Sequence, residues 1–173
     1  MTGEATSGGR GRFFEDLAVG DVYRSRYGRT VTESDNLLFT CLTMNTNQIH
    51  FNAEFAARTR FGRPLVNSTF TLALVTGMSV PDVSENAAAN LSWTDIALPK
   101  PVFVGDTIWV ESEVLELRES RSNPSVGIVR VRTRGLNQDG AVVIEFKRTV
   151  MLYRRGAPEA ASMFPETETP WSE

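Results

Sequence analysis

Apolar residues along the chain recur first with the period of a helix and later with the period of a strand. Leu37, Leu38, Cys41 and Leu42 fall at three- and four-residue steps, the spacing of one helix face. Thr32 precedes this run and Asp35 stands three residues after it, which predicts a helix capped by the threonine, beginning at Glu33 and ending near Met44. Residues 68–78 read Ser-Thr-Phe-Thr-Leu-Ala-Leu-Val-Thr-Gly-Met, apolar almost all round, so a helix buried over most of its circumference is expected there. Between these two, Asn52 is placed to cap a short helix over residues 53–57, and Phe61-Gly62-Arg63-Pro64 breaks the helical pattern. A period of two then takes over. Val142, Ile144, Phe146, Val150 and Leu152 share one side of a strand over residues 141–154, with Glu145, Lys147 and Thr149 on the other. Residues 108–117 and 127–134 alternate in the same way, and turns are expected at 120–125 and 135–140.

Three further segments complete the pattern. Residues 22–31 read as a first strand with one solvated face, and residues 89–98 as another strand. Pro99-Lys100-Pro101 cannot sit in a central ladder, and Phe103-Val104-Gly105-Asp106 is a hairpin-style turn ahead of the strand at 108. Helices early and antiparallel strands late describe a single α+β domain over residues 13–154. Residues 1–12, rich in Gly, Ser and Thr, are expected to be disordered, and residues 155–173 to form a flexible tail in which Trp171 either docks on a partner subunit or has no role.

Composition changes this picture by exclusion. A chain of 173 residues with 41% hydrophobic residues has enough apolar surface for one substantial core. A net charge of −3 with scattered arginines gives no basic stripe, which disfavours nucleic acid as a partner. The first residues lack the apolar core of a signal peptide and no run is long enough to span a bilayer, so a cytoplasmic protein without membrane attachment is expected. The one cysteine, Cys41, excludes an internal disulfide and a multi-cysteine zinc site; its apolar helical context predicts a buried small hydrophobe.

The candidate chemistry centres on His50, the only histidine, in a polar loop over residues 45–50 that precedes the most apolar helix. Histidine titrates nearest neutrality, so this ring is the one ready proton-transfer group of its kind; taken alone it is also open to a packing or capping reading.

The loop, together with residues 51–68, resembles the MaoC-like (R)-specific enoyl-CoA hydratases, enzymes of the hotdog fold. Their signature runs Asp-x-Asn-Pro-x-His-x-Asp, a short acidic helix, then Gly-x-x-x-x-His-Gly at the head of the central helix. Asn47, His50, Asn52, Glu54, Phe55 and Ala56 fall on matching positions, with Gly62, Arg63 and Pro64 after them. Phe103 to Ile108 resembles the family's Phe-x-Gly-Asp-Thr-Leu turn. Two positions depart: Asn45 stands where the family places its catalytic aspartate, and Asn67-Ser68 where it has His-Gly. The stretch Arg63 to Ser68 looks like a branch acting on short dicarboxylic or branched acyl-CoA, such as mesaconyl- or itaconyl-CoA.

The resemblance implies a curved antiparallel sheet around a central helix and reversible hydration of an enoyl-CoA. His50 would be the base, Asn45 would orient the water, and the Ser68 backbone N–H would hold the thioester oxygen. Ser68 is open to two readings, a further donor through its hydroxyl or a cap, and Asn67 to two, a group binding a polar acyl substituent or a cap. Arg63, with Arg58 and Arg60, has two readings as well: a partner for a substrate carboxylate or CoA phosphate, or a solvated surface residue. No cofactor is implied, CoA being part of the substrate, and no metal. A homodimer, or a dimer of dimers, is expected. The rival readings are a hotdog acyl-CoA thioesterase and a noncatalytic acyl-CoA-binding protein.

Overall fold

Three long strands, each burying much of its length, form the body of the computed structural model, which describes residues 11–161. Most of the two expected end segments, Trp171 included, lies outside those residues. The three strands are β4 (Thr107–Glu119), β5 (Val126–Leu136) and β6 (Val142–Tyr153). They are preceded by β1 (Val22–Arg24), β2 (Arg29–Thr30) and β3 (Ala87–Ala97). All pairings are antiparallel, in the spatial order β1, β4, β5, β6, β3, with β2 also on β4. Register shifts in β4 at Val114/Glu116 and at three places along β3 and β6 are bulges that bend and twist the sheet.

The helices come early. Helix α1 (Glu33–Leu42) has the expected start: the Thr32 hydroxyl accepts from the Asp35 N–H at 3.2 Å, and Asp35 Oδ2 accepts from the Thr32 N–H at 2.7 Å. Helix α2 (Ala53–Ala57) begins with Asn52 Oδ1 accepting from the Phe55 N–H. Helix α3 (Ser68–Val83) lies against the sheet.

The sheet and α3 bury two apolar clusters. One gathers Val31, Val66, Val75, Val102, Ile108 and Phe146 near the head of α3; the other gathers Leu17, Val83, Val114, Val129, Val150 and Leu152 toward its far end. Between them runs a polar belt. Ser112 Oγ and Thr133 Oγ1 are 2.8 Å apart, and Arg148, only 3% exposed, donates through Nη2 to Ser79 Oγ at 3.1 Å and Ser84 Oγ at 3.0 Å. Burial alone pulls the Arg148 guanidinium down to about 10, so it remains a cation at neutral pH. Its charge faces the C-terminal end of α3, where unpaired carbonyls carry partial negative charge.

Four expectations are corrected. The first strand is two short ones, because the chain bulges at residues 25–28: the Ser25 N–H donates to the Val110 carbonyl, and a Cβ on Gly28 would overlap the Trp109 ring. The central helix continues to Val83, through Pro81. Proline gives up a bond to the Gly77 carbonyl, but both residues are exposed and water can take that acceptor. This helix is also buried on one stripe only, Thr71, Val75, Ser79 and Val83, because the sheet covers one side of it. Finally, Cys41 is exposed. Helix α1 turns Asn36 and Thr40 inward, so Leu37, Leu38, Cys41 and Leu42 face outward.

Candidate active site

His50 is held by the segment that leads into α3. The chain leaves α1 through Met44, which adopts a left-handed backbone with φ of 53°, and enters the loop at Asn45. Asn45 Oδ1 accepts from the Asn47 N–H at 3.0 Å, and Asn47 Oδ1 accepts from the Ile49 N–H at 3.2 Å, capping a single 3₁₀ turn at Gln48–His50. Asn52 Nδ2 donates to Gln48 Oε1 at 2.6 Å, tying that turn to α2. The bonds at Asn45 Oδ1 and Asn47 Oδ1, with that of Asn52 Oδ1 to the Phe55 N–H, explain the density of asparagine here: each supplies a local backbone donor with an acceptor where no ladder exists.

Two bonds then join this loop to residue 65. The Leu65 N–H donates to the Ile49 carbonyl at 3.0 Å, and the His50 Nδ1 lies 3.0 Å from the Leu65 carbonyl oxygen. A carbonyl only accepts, so Nδ1 is the donor of this bond, and in the neutral ring Nε2 is then the nitrogen with the lone pair. The ring is half-buried. Leu65 is itself fixed from behind: it bridges to Phe103, and the Val66 N–H donates to the Val102 carbonyl at 2.9 Å. The turn beneath is closed by Asp106 Oδ2, which accepts from the Phe103 N–H at 2.9 Å, and by Gly105 at φ of 94°, a backbone that favours glycine.

Three residues after Leu65, α3 begins. Asn67 is its cap, 1% exposed: Oδ1 accepts from the Thr69 N–H at 3.0 Å and the Thr69 hydroxyl at 2.7 Å, and Nδ2 donates to Thr40 Oγ1 at 3.3 Å. Its side chain is thus occupied in starting the helix. The Ser68 N–H has no partner among the described residues, and Ser68 is exposed. Three residues of extended chain span at most about 11 Å, so the imidazole's anchor and this free donor are neighbours. The head of a sixteen-residue helix adds partial positive charge to it.

Sequence reasoning missed Asn36. It is buried and ties three segments together: Nδ2 donates to the carbonyls of His50 at 2.8 Å and Leu65 at 3.1 Å, and Oδ1 accepts from the Asn67 N–H at 2.8 Å. The signal available was the pair Asn36 and Thr40, polar at a four-residue step on the side of the helix away from its leucines.

Of the arginines, Arg63 stacks over the Phe103 ring at 3.8 Å, beside the Leu65 bridge, and so shares this end of the molecule. Arg58 closes α2 and Arg60 stacks on its neighbour Phe61; both are exposed. A groove of about 700 Å³ runs along the outer side of α3, lined among others by Arg24, Arg26, Arg29, Leu74 and Met78; His50 does not line it. No cluster of three or more metal-ligating side chains occurs among the described residues, and no helix among them is long and apolar enough to cross a membrane.

Comparison with known proteins gives this arrangement its relatives. The chain is 40% identical over 158 residues to the mesaconyl-CoA hydratase of Cereibacter sphaeroides, covering 90% of this chain and 46% of that protein. It is 28% identical over 138 residues to the (R)-specific enoyl-CoA hydratase of Aeromonas caviae, covering 80% of this chain and 97% of that one. It therefore spans less than half the length of the mesaconyl-CoA hydratase. In structure it matches a Mycobacterium tuberculosis protein described as having a double hotdog fold, with a TM-score of 0.78 at 20% identity over 92% of this chain and 53% of that one. That likeness fixes the fold as a hotdog. The model of the MaoC-like domain matches residues 15–135, a span that holds the His50 loop, α2, α3 and the turn at Gly105, and the chain belongs to the MaoC-like domain family.

Proposed function

We propose that the chain catalyses the reversible addition of water across the 2,3 double bond of an enoyl-CoA thioester, giving a (3R)-hydroxyacyl-CoA. The acyl group is short and branched or dicarboxylic, a reading supported by the 40% identity to a mesaconyl-CoA hydratase. The observation that carries the proposal is the His50 ring: Nδ1 is committed to the Leu65 carbonyl at 3.0 Å, which leaves Nε2 as a base close to the head of α3.

His50 Nε2 takes a proton from water as the water oxygen bonds to C3 of the substrate. The electrons of the double bond move toward the thioester, and the oxygen that gains charge is held by the Ser68 N–H. The imidazolium then returns its proton to C2, so one ring serves both transfers and the balance needs nothing beyond substrate and water. Asn45 cannot act as acid or base in the reaction as an aspartate would; its amide orients the water. Asn67 acts by fixing the helix start, and Arg63 meets a carboxylate of the substrate or a CoA phosphate.

A second hotdog unit completes the site, supplied by a second copy of the chain. Among the described residues strand β3 is a free sheet edge whose Leu91, Trp93 and Ile96 are exposed, and edge strands of that kind pair with another chain.

A panel of acyl-CoA esters followed by mass spectrometry tests the reaction. Gain of one water by mesaconyl- or crotonyl-CoA is expected. Release of free CoA thiol without hydration would show a thioesterase, and saturable binding with no turnover a noncatalytic binder; either result overturns the proposal.

A further inference from the structure

We propose that Asn36 is a positioning residue that selects which nitrogen of His50 is free to act as base. Asn36 sits on the inward face of α1, 2% exposed, and both N–H donors and one oxygen lone pair of its amide are used. Nδ2 donates to the His50 carbonyl at 2.8 Å and to the Leu65 carbonyl at 3.1 Å, while Oδ1 accepts from the Asn67 N–H at 2.8 Å. The three backbone groups come from the histidine loop, from the segment entering α3 and from the α3 cap.

What makes this more than a buried residue satisfying its surroundings is the oxygen it shares. The Leu65 carbonyl that accepts from Asn36 is the one that faces His50 Nδ1 at 3.0 Å. A carbonyl oxygen has two lone pairs lying near its own plane. With one lone pair directed at Asn36 on buried α1, the other is held in a fixed direction, and the imidazole meets it only through a protonated Nδ1. Asn36 also holds the His50 carbonyl, so both the ring's backbone and its anchor are set from one side chain. Thr40, one turn further on α1, reaches the same region through Asn67 Nδ2 at 3.3 Å but touches neither carbonyl. An apolar residue at position 36 would remove the α1 bonds to the Leu65 and His50 carbonyls and leave the Leu65–Val66 peptide tied through the Val66 N–H, so that the carbonyl can tilt from the ring and either ring nitrogen can carry the proton.

The test uses the chain's single histidine, which makes its imidazole signals unambiguous. The full chain is prepared with ¹⁵N-labelled histidine, and multiple-bond ¹H–¹⁵N spectra are taken with the ring neutral. The wild type is expected to show a protonated Nδ1 and an unprotonated Nε2. Asn36→Asp, which keeps the acceptor for Asn67 but turns an oxygen toward both carbonyls, and Asn36→Ser, which is smaller and keeps one hydroxyl, are expected to show a mixture of tautomers. Thr40→Val serves as the control; it loosens the same region and is expected to keep the wild-type tautomer.

The kinetic arm rests on the hydratase reading: kcat for enoyl-CoA hydration falls roughly 10- to 100-fold in the Asn36 variants, KM changing much less. The spectra need no substrate, so a chain that hydrates nothing yet shows the tautomer shift would sink the hydratase reading alone. A wild-type ring protonated at Nε2 would overturn the role of Asn36 without any variant. So would folded Asn36 variants that keep the Nδ1 proton, or a Thr40→Val shift as large as theirs.

Discussion

Asp35 shows how a single carboxylate is committed in this fold. Its hydrogen bond to Arg29, followed by those to Thr32, holds its carboxyl down to about 2 from an ordinary 3.8. A carboxylate whose folded pKa is depressed adds stability above its unfolded pKa and loses it as pH falls through the folded one. The gap in unfolding midpoint between wild type and Asp35→Asn should therefore be full above about pH 4 and close as pH falls toward 2, followed by circular dichroism. The Arg29 side chain is 45% exposed, so the pair is solvent-screened and the gap corresponds to about 1 kcal/mol or less. This cap was legible in the sequence because Thr-x-x-Asp before an apolar run states its own mechanism. His50 stood out as a candidate by being the one histidine, and its role is the proposal tested below. Asn36 was not legible: an asparagine inside a helix reads as a surface residue, and nothing local indicates that its partners lie fourteen to thirty-one residues away. At Asn45 the departure from the family's aspartate carries its own prediction. Asn45→Asp should leave kcat for enoyl-CoA hydration unchanged or raise it, and Asn45→Ala should lower it; equal rates for Asn45→Ala and wild type would remove the water-orienting role.

Helix α1 and helix α3 show where periodicity misled and why. Both carry apolar residues at helical spacing, and spacing identifies a face without saying what the face meets. In α1 the inward positions are polar because Asn36 binds backbone groups of the histidine loop and of the α3 cap and Thr40 binds the Asn67 side chain, and the apolar face is left outside, with Leu42 at 82% exposure. In α3 the sheet covers one stripe and the opposite side opens onto the groove beside β1 and β2. Strand β6 has the expected alternation from Ile144 on, with a break at its start, where Val143 is buried beside Ile144 and Val142 is half-buried; at Arg148 an ionisable residue takes a core-facing place and meets two serines, of α3 and its C-cap. A buried cation with no carboxylate partner among the described residues is expensive to keep and more expensive to break. Arg148→Met should leave stability unchanged or raise it, since the methionine fills the space without a charge. Arg148→Ala, which leaves a cavity and two unpaired hydroxyls, should cost about 2 to 4 kcal/mol. Urea unfolding of both variants checks the pair; equal losses would mean that the charge itself supports the fold.

At the scale of the whole molecule, the architecture was more legible than its surface. The alternating strands, the turns at Gly105 and Gly140 and the α+β order all arise from local pattern, and the structure has them. Which surfaces lie bare was not legible, because a residue bound for a second unit is as apolar as one bound for the core. Among the described residues the outer face of α1, the free edge at β3 and the groove along α3 lie bare, and the proposed second copy is placed at β3. Light scattering should give twice the mass of the chain, and Trp93→Arg on β3, where Trp93 is 43% exposed, should shift it toward the mass of one chain. A wild type of single mass would refute the second copy. The proposed chemistry depends throughout on the ring at residue 50 acting as the base beside the α3 head. Steady-state hydration of the preferred enoyl-CoA by wild type and by folded His50→Gln is the most direct measurement of it. A drop of about 10² to 10⁴ in kcat with little change in KM is predicted, and a His50→Gln rate within a few-fold of wild type would contradict it.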